Sequence, residues 1–361
     1  MSLRPLGTAF HYSCRRCGAS QDAAPADWLC RCGEPLDIIW ASVEARAEFL
    51  AGAADLTLGE GNTPVVDLPR IAARLGLRRV RAKLELVNPT GSFKDRGAWL
   101  LVGAARALGA AEVVEDSSGN AGAAVAAYAA RAGLRAHIFV PADTPAPKLT
   151  QIRAYGARIV SVPGGREATT LAALRYVREA GLFYASHNRS PFFTEGMVSF
   201  GDEVLRLGPA PTDVVVPVGN GSLVAGLWVA YRRAGRRLPR LHGVQAQACA
   251  PLAEAWEKGL PEPVEVAATP TVAGGIRVER PPRGRQVLEI IRESQGSMVA
   301  VDEQTILEWV RFLAEHEGIF AEPTSAAALA GLARLIADGR LPLDADVLVP
   351  ITGTGLKAAA G

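Results

Sequence analysis

Lysine is the residue type in this sequence that says most about chemistry, because the chain uses it so rarely. Among 39 basic residues there are five lysines, namely Lys83, Lys94, Lys148, Lys258 and Lys357. Arginine stays protonated and cannot act as a nucleophile, whereas lysine can lose its proton and form an imine. A lysine that is kept where arginine is the rule is therefore a candidate for covalent chemistry.

Lys94 lies within the segment NPTGSFKDRG, residues 88–97. A Pro/Gly turn precedes this lysine and a helix-like run, residues 97–105, follows it, which predicts a junction between a loop and a helix. An average lysine at such a junction is only a solvated residue at the start of a helix. Here the other glycine-rich segments of the chain favour a functional role for the amine.

A second segment, SSGNAG at residues 117–122, follows a short predicted strand, 112–116, and begins an alanine-rich helix. Hydroxyls and backbone amides at the start of a helix suit a carboxylate, because the helix dipole and the unpaired N–H groups favour negative charge there. The residues that supply these groups are Ser117, Ser118, Asn120 and Ala121.

A third segment, GNGSL at residues 219–223, joins a predicted strand, 213–218, to another helix. Its backbone amides and the helix N-terminus suit a phosphate group, to which Ser222 adds a hydroxyl. The segment lacks the lysine of a P-loop and the pattern G-x-G-x-x-G, which argues against a nucleotide site. A fourth glycine-rich segment, TGTGLK, occupies residues 352–357.

The four segments, in this order, resemble those of the fold-type II pyridoxal-phosphate enzymes, and NPTGSFKDRG looks most like threonine synthase. The resemblance implies a lyase of amino-acid metabolism that depends on pyridoxal 5'-phosphate. Such an enzyme eliminates the γ-substituent of an O-activated homoserine and adds water at Cβ to give L-threonine. The alternatives are a threonine/serine dehydratase or another β-elimination or β-replacement enzyme. A non-catalytic binding module is disfavoured because Lys94 and the glycine-rich segments are intact.

The resemblance also implies roles for individual residues. Lys94 would hold the resting imine and then move protons at the substrate carbons, and Thr352 would meet the pyridine nitrogen with a neutral hydroxyl. The segments 322–327, EPTSAA, and 273–278 resemble parts of the family near the cofactor. The other expected cofactor contacts are Phe93, Asn120, Gly219, Asn220, Gly221, Ser222 and Leu223. The expected substrate contacts are Thr90, Ser117, Ser118, Asn120 and Ala121.

The segment SPFFTEGMV, residues 190–198, departs from the threonine-synthase pattern N-P-x-R-x-E-G-Q-K. Phe193 stands in the arginine position, and Met197 and Val198 replace the Gln-Lys pair. Each lost charge-assisted bond to a substrate phosphate is worth roughly 1.5–3 kcal/mol. We therefore expect poor use of O-phosphohomoserine, and a substrate with a neutral leaving group would avoid the penalty. The nearby polar side chains that could compensate are His187, Asn188 and Arg189.

Strand and helix patterns alternate from residue 80 onward, and the strands are short apolar runs. This alternation predicts mostly parallel sheets with helices on both faces, in two three-layer α/β/α domains. We expect a large cofactor-binding domain, residues 41–96 with 206–361, and a small α/β domain, residues 97–205. Ligand loops are expected at the carboxyl ends of the strands.

Residues 1–40 contain four of the five cysteines and resemble the zinc ribbon with which some threonine synthases begin. Four thiolates can close a tetrahedral structural zinc site, and a module this small needs such a staple. One residue rather than two separates the second pair, so a degenerate ribbon with free thiols is the alternative. We expect its removal to leave cofactor binding intact. The predicted ligands are Cys14, Cys17, Cys30 and Cys32.

The net charge of +2 gives no electrostatic reason to expect nucleic acid or a membrane as a partner. The sequence contains no secretory signal and no apolar run of membrane-spanning length, which predicts a cytoplasmic protein. The expected partners are a small amino-acid substrate and a second copy of the chain, in a homodimer. Of the five scattered histidines, His187 is the one considered for the site, because it lies near the segment 190–198.

Overall fold

Strands and helices alternate along most of the chain, in a computed structural model that describes residues 9–21 and 28–357. The strands are β1 (Phe10–Ser13), β2 (Ser20–Gln21), β3 (Asp37–Trp40), β4 (Val65–Asp67), β5 (Arg79–Lys83), β6 (Glu112–Glu115), β7 (Arg135–Pro141), β8 (Arg158–Val162), β9 (Phe183–Tyr184), β10 (Asp213–Pro217), β11 (Arg240–Ala246), β12 (Ser297–Val301) and β13 (Asp346–Pro350). The α-helices are α1 (Val43–Gly52), α2 (Pro69–Leu75), α3 (Lys94–Ala107), α4 (Asn120–Ala132), α5 (Ala146–Ala154), α6 (Arg166–Ala180), α7 (Pro191–Leu205), α8 (Ser222–Arg233), α9 (Pro251–Glu257), α10 (Gly284–Glu293), α11 (Glu303–Glu317) and α12 (Pro323–Ala337).

The first of two compact units contains Lys94–Gly196 together with the described part of Met1–Glu60. Its main sheet is parallel, with the strand order β8-β7-β6-β9. Consecutive residues of β7, 136–140, are all buried, which is typical of a parallel strand covered on both faces. The expected alternation of strands and helices is confirmed here, and the carboxyl end of β6 leads directly into the SSGNAG segment.

The second unit contains Gly61–Phe93 and the described part of Met197–Gly361. Its sheet has the order β12-β11-β10-β13-β5-β4, in which β4 pairs antiparallel with β5 and the other pairs are parallel. Helix α12 forms the centre of the core, because its residues from Thr324 to Leu332 are all buried. An added Cβ at Gly331 would overlap Val244 of β11, so this glycine lets the helix lie close to the sheet.

The cysteine-rich segment forms a small antiparallel sheet in the order β2-β1-β3 and packs into the first unit through aromatic rings. The Phe192 ring of α7 lies 5.5 Å from Phe10 and 5.9 Å from Trp28, between ring centroids. Phe49 of α1 stacks on the same ring at 5.6 Å. The Trp28 indole N–H donates to the Tyr184 carbonyl at 2.6 Å. The ribbon is therefore part of a larger aromatic core.

The divisions between the compact units fall after Glu60, Phe93 and Gly196, whereas the sequence pattern predicts domain boundaries after residues 40, 96 and 205. Residues 41–60, expected in the large domain, group with the first unit instead. The physical reason is their contact with α3, where the Trp99 indole donates to the Ala53 carbonyl at 3.0 Å and Arg106 pairs with Asp55 at 2.6 Å. Across the described residues, no helix has the length and apolar character needed to cross a membrane.

Candidate active site

Lys94 is the first residue of α3, at the loop-to-helix junction that its sequence context predicts. Its Nζ atom lies 5.6 Å from the centroid of the Phe193 ring, in the same unit. The ring also covers Gly97, where an added Cβ would lie 2.6 Å from two ring carbons. Glycine at position 97 therefore lets an aromatic ring close over the start of α3, beside the lysine amine.

Lys83, another of the rare lysines, has a structural role in the second unit. It is 1% exposed, and its amine donates to Glu203 at 2.5 Å and to the Thr63 carbonyl at 3.1 Å. Glu85 of the same buried network accepts from the Asn88 amide at 3.0 Å. This network fixes the beginning of the NPTGSFKDRG segment, because Asn88 is its first residue.

The SSGNAG segment forms a tight turn between β6 and α4 in the first unit. The Gly119 N–H donates to the Ser117 hydroxyl at 3.3 Å, and Asn120 begins α4. An added Cβ at Gly122 would overlap the Ser117 carbonyl oxygen, so the turn closes only over glycine. The half-buried Ser117 and Ser118 stand at the start of the helix, together with the buried Ala121, in the arrangement that the sequence predicts.

Two buried carboxyl groups precede this turn and are held by different neighbours. Glu115 accepts from the backbone N–H of His187 at 3.2 Å, and its Oε1 lies 2.6 Å from Nδ1 of the same histidine. Asp116 forms an ion pair with Arg166 at 3.0 Å and accepts a hydrogen bond from the Thr170 hydroxyl at 2.5 Å. Both partners lie on α6. The end of β6 is thus tied to α6 on one side and to the segment after β9 on the other.

Burial and neighbouring charge shift the pKa values of the two carboxyl groups in opposite directions. Burial, reinforced by the charge of Asp116, raises the pKa of Glu115 well above its ordinary value. Burial opposes ionisation of Asp116 too, but Arg166 and its other partners outweigh it and lower the pKa. Burial, and then the positive charges of Lys94 and Arg166, hold the pKa of His187 well below its ordinary value. Burial and these charges therefore favour the protonated carboxyl group and the neutral imidazole in this pair.

The GNGSL segment in the second unit connects β10 to the N-terminus of α8, as predicted. Gly221 has a φ of +77°, and an added Cβ there would overlap Val287 of α10. An added Cβ at Gly219 would lie 3.2 Å from both the Gly275 carbonyl oxygen and the Ile276 Cα. The turn therefore requires small residues, and it leaves backbone N–H groups at a helix start, where an anion is favoured.

The Thr352 hydroxyl lies 3.0 Å from the hydroxyl of Ser325 on α12, and both residues are buried. The Ser325 oxygen also accepts from the Gly353 N–H at 3.0 Å. Thr324, its neighbour on α12, accepts from the Gly275 N–H at 3.1 Å. Through Gly275 these contacts connect the start of α12 with the GNGSL turn. The segments 219–223, 273–278, 322–327 and 352–357 are therefore brought together within the second unit.

The end of the lysine segment runs beside the C-terminal segment. The Phe93 N–H donates to the Thr352 carbonyl at 3.0 Å, and the Thr354 N–H donates to the Gly91 carbonyl at 3.0 Å. An added Cβ at Gly91 would lie 2.8 Å from the Thr354 methyl group. Thr90 is buried next to this pairing. The second unit thus gathers the expected cofactor contacts from Gly219 to Leu223 with Phe93 and Thr352, while Lys94 and Asn120 belong to the first unit.

Glu115, Asp116 and Ser325 are the neighbouring residues that the sequence analysis missed as site candidates. Two adjacent acidic residues at the end of an apolar strand, directly before SSGNAG, were the available signal for the first two. Ser325 could have been found from its place in EPTSAA. His187, considered from the sequence, is 8% exposed and lies against the Phe193 ring at 6.0 Å between centroids.

The four predicted cysteine ligands meet at one point in the ribbon. The Sγ atoms of Cys14 and Cys32 lie 3.4 Å apart, those of Cys17 and Cys30 lie 3.5 Å apart, and all four lie within 4.8 Å of one another. Tetrahedral zinc with Zn–S bonds of about 2.3 Å separates its sulfur ligands by about 3.8 Å. The one-residue gap between Cys30 and Cys32 therefore does not prevent the four thiols from converging.

The parallel α/β units and the glycine turn at the start of α8 define the class of protein. The family model described as pyridoxal-phosphate dependent enzyme matches residues 56–353, and the chain belongs to this family. A solved structure of maize serine racemase shares the fold, with a TM-score of 0.75 at 24% identity over 86% of this chain and 93% of that one.

Two relatives narrow the class to enzymes that resemble threonine synthase. The chain is 38% identical to the threonine synthase of Synechocystis sp., over 84% of this chain and 78% of that protein. It is 31% identical to the threonine synthase of Methanocaldococcus jannaschii, over 95% and 92% of the two chains. The predicted resemblance, and with it a lyase that depends on pyridoxal phosphate, is confirmed.

Proposed function

We propose that this chain catalyses a reaction of the threonine-synthase type, in which an O-activated homoserine loses its γ-substituent and gains water at Cβ. Bound pyridoxal phosphate supplies the electron sink for these steps. The observation that carries the proposal is the turn of Gly219 and Gly221 at the start of α8, where an anion is favoured and added side-chain atoms would clash. We assign the cofactor phosphate to residues 219–223.

Lys94 is assigned to the covalent link with the cofactor aldehyde and to proton transfer at the substrate carbons. Thr352 is assigned to the pyridine nitrogen. Its hydrogen bond with Ser325 supports this role, because a hydroxyl can either donate or accept and can thus serve a nitrogen that carries no proton. Asn120 is assigned to the ring hydroxyl, and Phe93 to packing near the cofactor.

The substrate carboxylate is assigned to the SSGNAG turn. Its hydroxyls and N–H groups stand at the start of α4, a 13-residue helix whose dipole favours an anion. Gly122 keeps the turn closed against α4, so these donors are held in place before substrate arrives. The residues proposed to contact substrate are Thr90, Ser117, Ser118, Asn120 and Ala121.

The covalent link is tested with Lys94→Ala and the matched control Lys148→Ala, which changes an exposed lysine on α5. Purified wild-type protein is treated with borohydride, digested and mapped by mass spectrometry. We expect the reduced cofactor on Lys94, no adduct in Lys94→Ala and an unchanged adduct in Lys148→Ala. An adduct that survives in Lys94→Ala would refute the assignment, and so would an adduct on any other lysine of the wild type.

We propose that the preferred substrate has a neutral leaving group rather than a phosphate. Phe193, beside Lys94, offers no charge to a dianion, and leaving such a dianion unpaired in a dry site is costly. Met197 is weaker evidence against a phosphate than its sequence position suggests, because it packs against Gly226 of α8. A threonine/serine dehydratase, which removes a β-hydroxyl, is therefore the second candidate function.

The two candidates are separated by a substrate panel. kcat/KM is measured for O-phosphohomoserine, serine, threonine and their O-acetylated analogues, and the products are identified. We expect O-phosphohomoserine to be used poorly beside substrates with neutral leaving groups. Efficient and exclusive turnover of O-phosphohomoserine would show that another cation reaches the phosphate and that the argument from Phe193 is wrong.

We also propose that one zinc ion is bound by Cys14, Cys17, Cys30 and Cys32. The convergence of the four Sγ atoms supports it, since the distances approach those of a tetrahedral site. Metal analysis of protein made without chelator should give one zinc per chain. Cys32→Ser should lower this content, whereas Cys249→Ser, which alters a buried thiol in the other unit, should not. Wild-type protein without stoichiometric metal would end the proposal.

Two further predictions from the sequence complete the proposed description. We propose a homodimer, which sedimentation analysis of the holoenzyme tests, and a cytoplasmic location, which fractionation tests.

A further inference from the structure

The described part of the chain contains three buried histidines that are hydrogen-bonded to carboxyl groups. In the second unit, His242 bonds to Asp213 at 2.8 Å. In the first unit, His137 bonds to Glu112 at 2.5 Å, and His187 bonds to Glu115 at 2.6 Å. The last two pairs stand at opposite ends of the same strand, β6, so they offer a direct comparison.

The two pairs on β6 differ in the charges around them. Glu112 is bonded to Arg135 at 2.5 Å, and this bond, with that to His137, lowers the pKa of Glu112 to about 2. Glu115 is fully buried, and Arg166, whose charge acts on it, is bonded to Asp116 instead. The Glu112 pair is thus joined by an exposed arginine that favours the ionised carboxylate, whereas burial and the charge of Asp116 favour the protonated form of Glu115.

The location of the Glu115 pair connects it with the chemistry proposed above. The His187 ring lies against one side of Phe193, at 6.0 Å between centroids, and the Lys94 amine lies 5.6 Å from the same ring. The titratable and charged groups that face the pair are Asp116, Arg166, Lys94 and Tyr184. A proton donor or acceptor is therefore held close to the residue that moves protons at the substrate carbons.

We propose that Glu115 and His187 act together as the acid and base for the oxygen at the substrate's Cβ, with Glu115 holding the proton that the imidazole relays. The proposal rests on the proposed function and assigns its water-adding, or hydroxyl-removing, step. It suits both candidate reactions, because adding water at Cβ and removing a β-hydroxyl are the same step in opposite directions.

The proton balance of the step is closed within these residues. In the eliminating direction Lys94 takes the Cα proton, and the electron pair of that bond forms the Cα–Cβ double bond. The Cβ–O electron pair leaves with the oxygen, which receives a proton from His187 Nε2 and departs as water. The Glu115 carboxyl group then gives its proton to Nδ1 and becomes a carboxylate, which the backbone N–H of His187 stabilises. Addition of water reverses each transfer.

Glu115→Gln tests the relay, because it keeps the size of the side chain and removes the transferable proton. The probe is L-threonine with holoenzyme in deuterated water. Exchange of the Cα hydrogen, followed by NMR, reports on Lys94, and formation of 2-oxobutanoate or exchange of the hydroxyl oxygen with labelled water reports on the Cβ–O bond. We expect Cα exchange to be little changed and Cβ–O cleavage to fall about 10²–10⁴-fold, the usual contribution of a general acid.

Glu112→Gln is the matched control, since it makes the same change in the pair at the other end of β6, about 10 Å along the strand. Both exchange rates should stay at the wild-type level. A second variant, His187→Gln, should reproduce the selective loss. A substrate whose leaving group needs no proton, O-acetylserine, should be affected much less than serine by Glu115→Gln.

Each outcome decides one question. If the wild-type protein does not exchange the Cα hydrogen at all, the proposed function itself is overturned. Equal loss of both exchanges in Glu115→Gln would mean a structural role for the pair, and unchanged Cβ–O cleavage would mean no role; either overturns the relay. Wild-type protein that exchanges Cα but never breaks the Cβ–O bond would overturn it as well.

The pH dependence of folding gives an independent readout. Because the pKa of Glu115 is raised on folding, unfolding releases its proton, so wild-type stability falls as pH rises from the unfolded pKa toward the folded one. Above about pH 7 the unfolded histidine is already neutral and does not oppose this trend. Glu115→Gln, which has no proton to lose, should therefore gain stability relative to wild type as pH rises above the unfolded pKa of glutamate. Parallel curves for the two proteins would show that Glu115 is ionised in the folded state and would overturn the relay.

Discussion

Replacement of Gly221 by alanine tests whether the turn before α8 binds the cofactor phosphate. Gly221 has a φ of +77°, in the left-handed region, where alanine costs roughly 1–2 kcal/mol. The new methyl group would overlap a methyl of Val287 and stand 3.5 Å from its Cβ. Val287 is fully buried on α10, so it has little room to move.

The two costs add to a substantial perturbation. Overpacking a well-packed interior typically costs about 1–3 kcal/mol, so the sum with the backbone strain is about 2–5 kcal/mol. If the turn opens to relieve the clash, its N–H groups move away from the phosphate. The cost then appears as a lower affinity for the cofactor. Even 2 kcal/mol corresponds to a roughly 30-fold larger dissociation constant for the cofactor.

The assay is titration of apoprotein with pyridoxal phosphate, followed by the absorbance of the bound cofactor, alongside the thermal unfolding of both forms. Gly235→Ala is the control, because Gly235 follows the other end of α8, has a φ of +59° and has open space where a Cβ would go. It should show the strain cost in unfolding and no change in cofactor affinity. Adding Val287→Ala to Gly221→Ala should restore part of the affinity, in a double-mutant cycle.

Two results would refute this reasoning. Cofactor affinity at the wild-type level in Gly221→Ala would mean that the turn does not hold the phosphate. A Val287→Ala partner that restores nothing would mean that steric overlap is not the cause of the loss.

Three further changes have expected outcomes. Ser325→Ala leaves the buried Thr352 hydroxyl without its partner and should cost about 1–3 kcal/mol of unfolding free energy and shift the absorbance of the bound cofactor. Trp28→Ala removes a buried ring from the aromatic core and should cost about 3–5 kcal/mol, measured by urea unfolding. Glu112→Gln should lower the urea midpoint at pH 7 and not near pH 2, because its folded pKa of about 2 lies below the unfolded value, so its stabilisation exists above the unfolded pKa and is lost as pH falls.

The sequence predicts the parts of the fold that depend on local patterns. Apolar strands followed by glycine turns predicted β6 with α4 and β10 with α8, because both the strand and the turn are written in neighbouring residues. The junction at Lys94 was predicted for the same reason. The resemblance to threonine synthase placed the segment 352–357 among the candidates, although its neighbours in space are far away in sequence.

Contacts between distant residues were not predictable in this way. Nothing near Ser325 in the sequence identifies Thr352 as its partner, and nothing near Glu115 identifies His187. The opposite pKa shifts of Glu115 and Asp116 likewise depend on distant residues, because Arg166 of α6 is bonded to Asp116, whereas burial and the charge of Asp116 raise the pKa of Glu115. A pattern of residue types contains the candidates, whereas the fold decides which of them are paired.

The ribbon is where the structure changes the interpretation of the sequence most. From motif positions alone, residues 1–40 were expected to be removable without effect on cofactor binding. Phe10 and Trp28, however, pack on Phe192, and Phe192 is the neighbour of Phe193 on α7, the residue that lies over the start of α3. Loss of the ribbon would expose the ring of Phe192, which is now fully buried and is adjacent in sequence to Phe193, the residue beside Lys94. The ribbon therefore supports, through these rings, the packing beside the lysine.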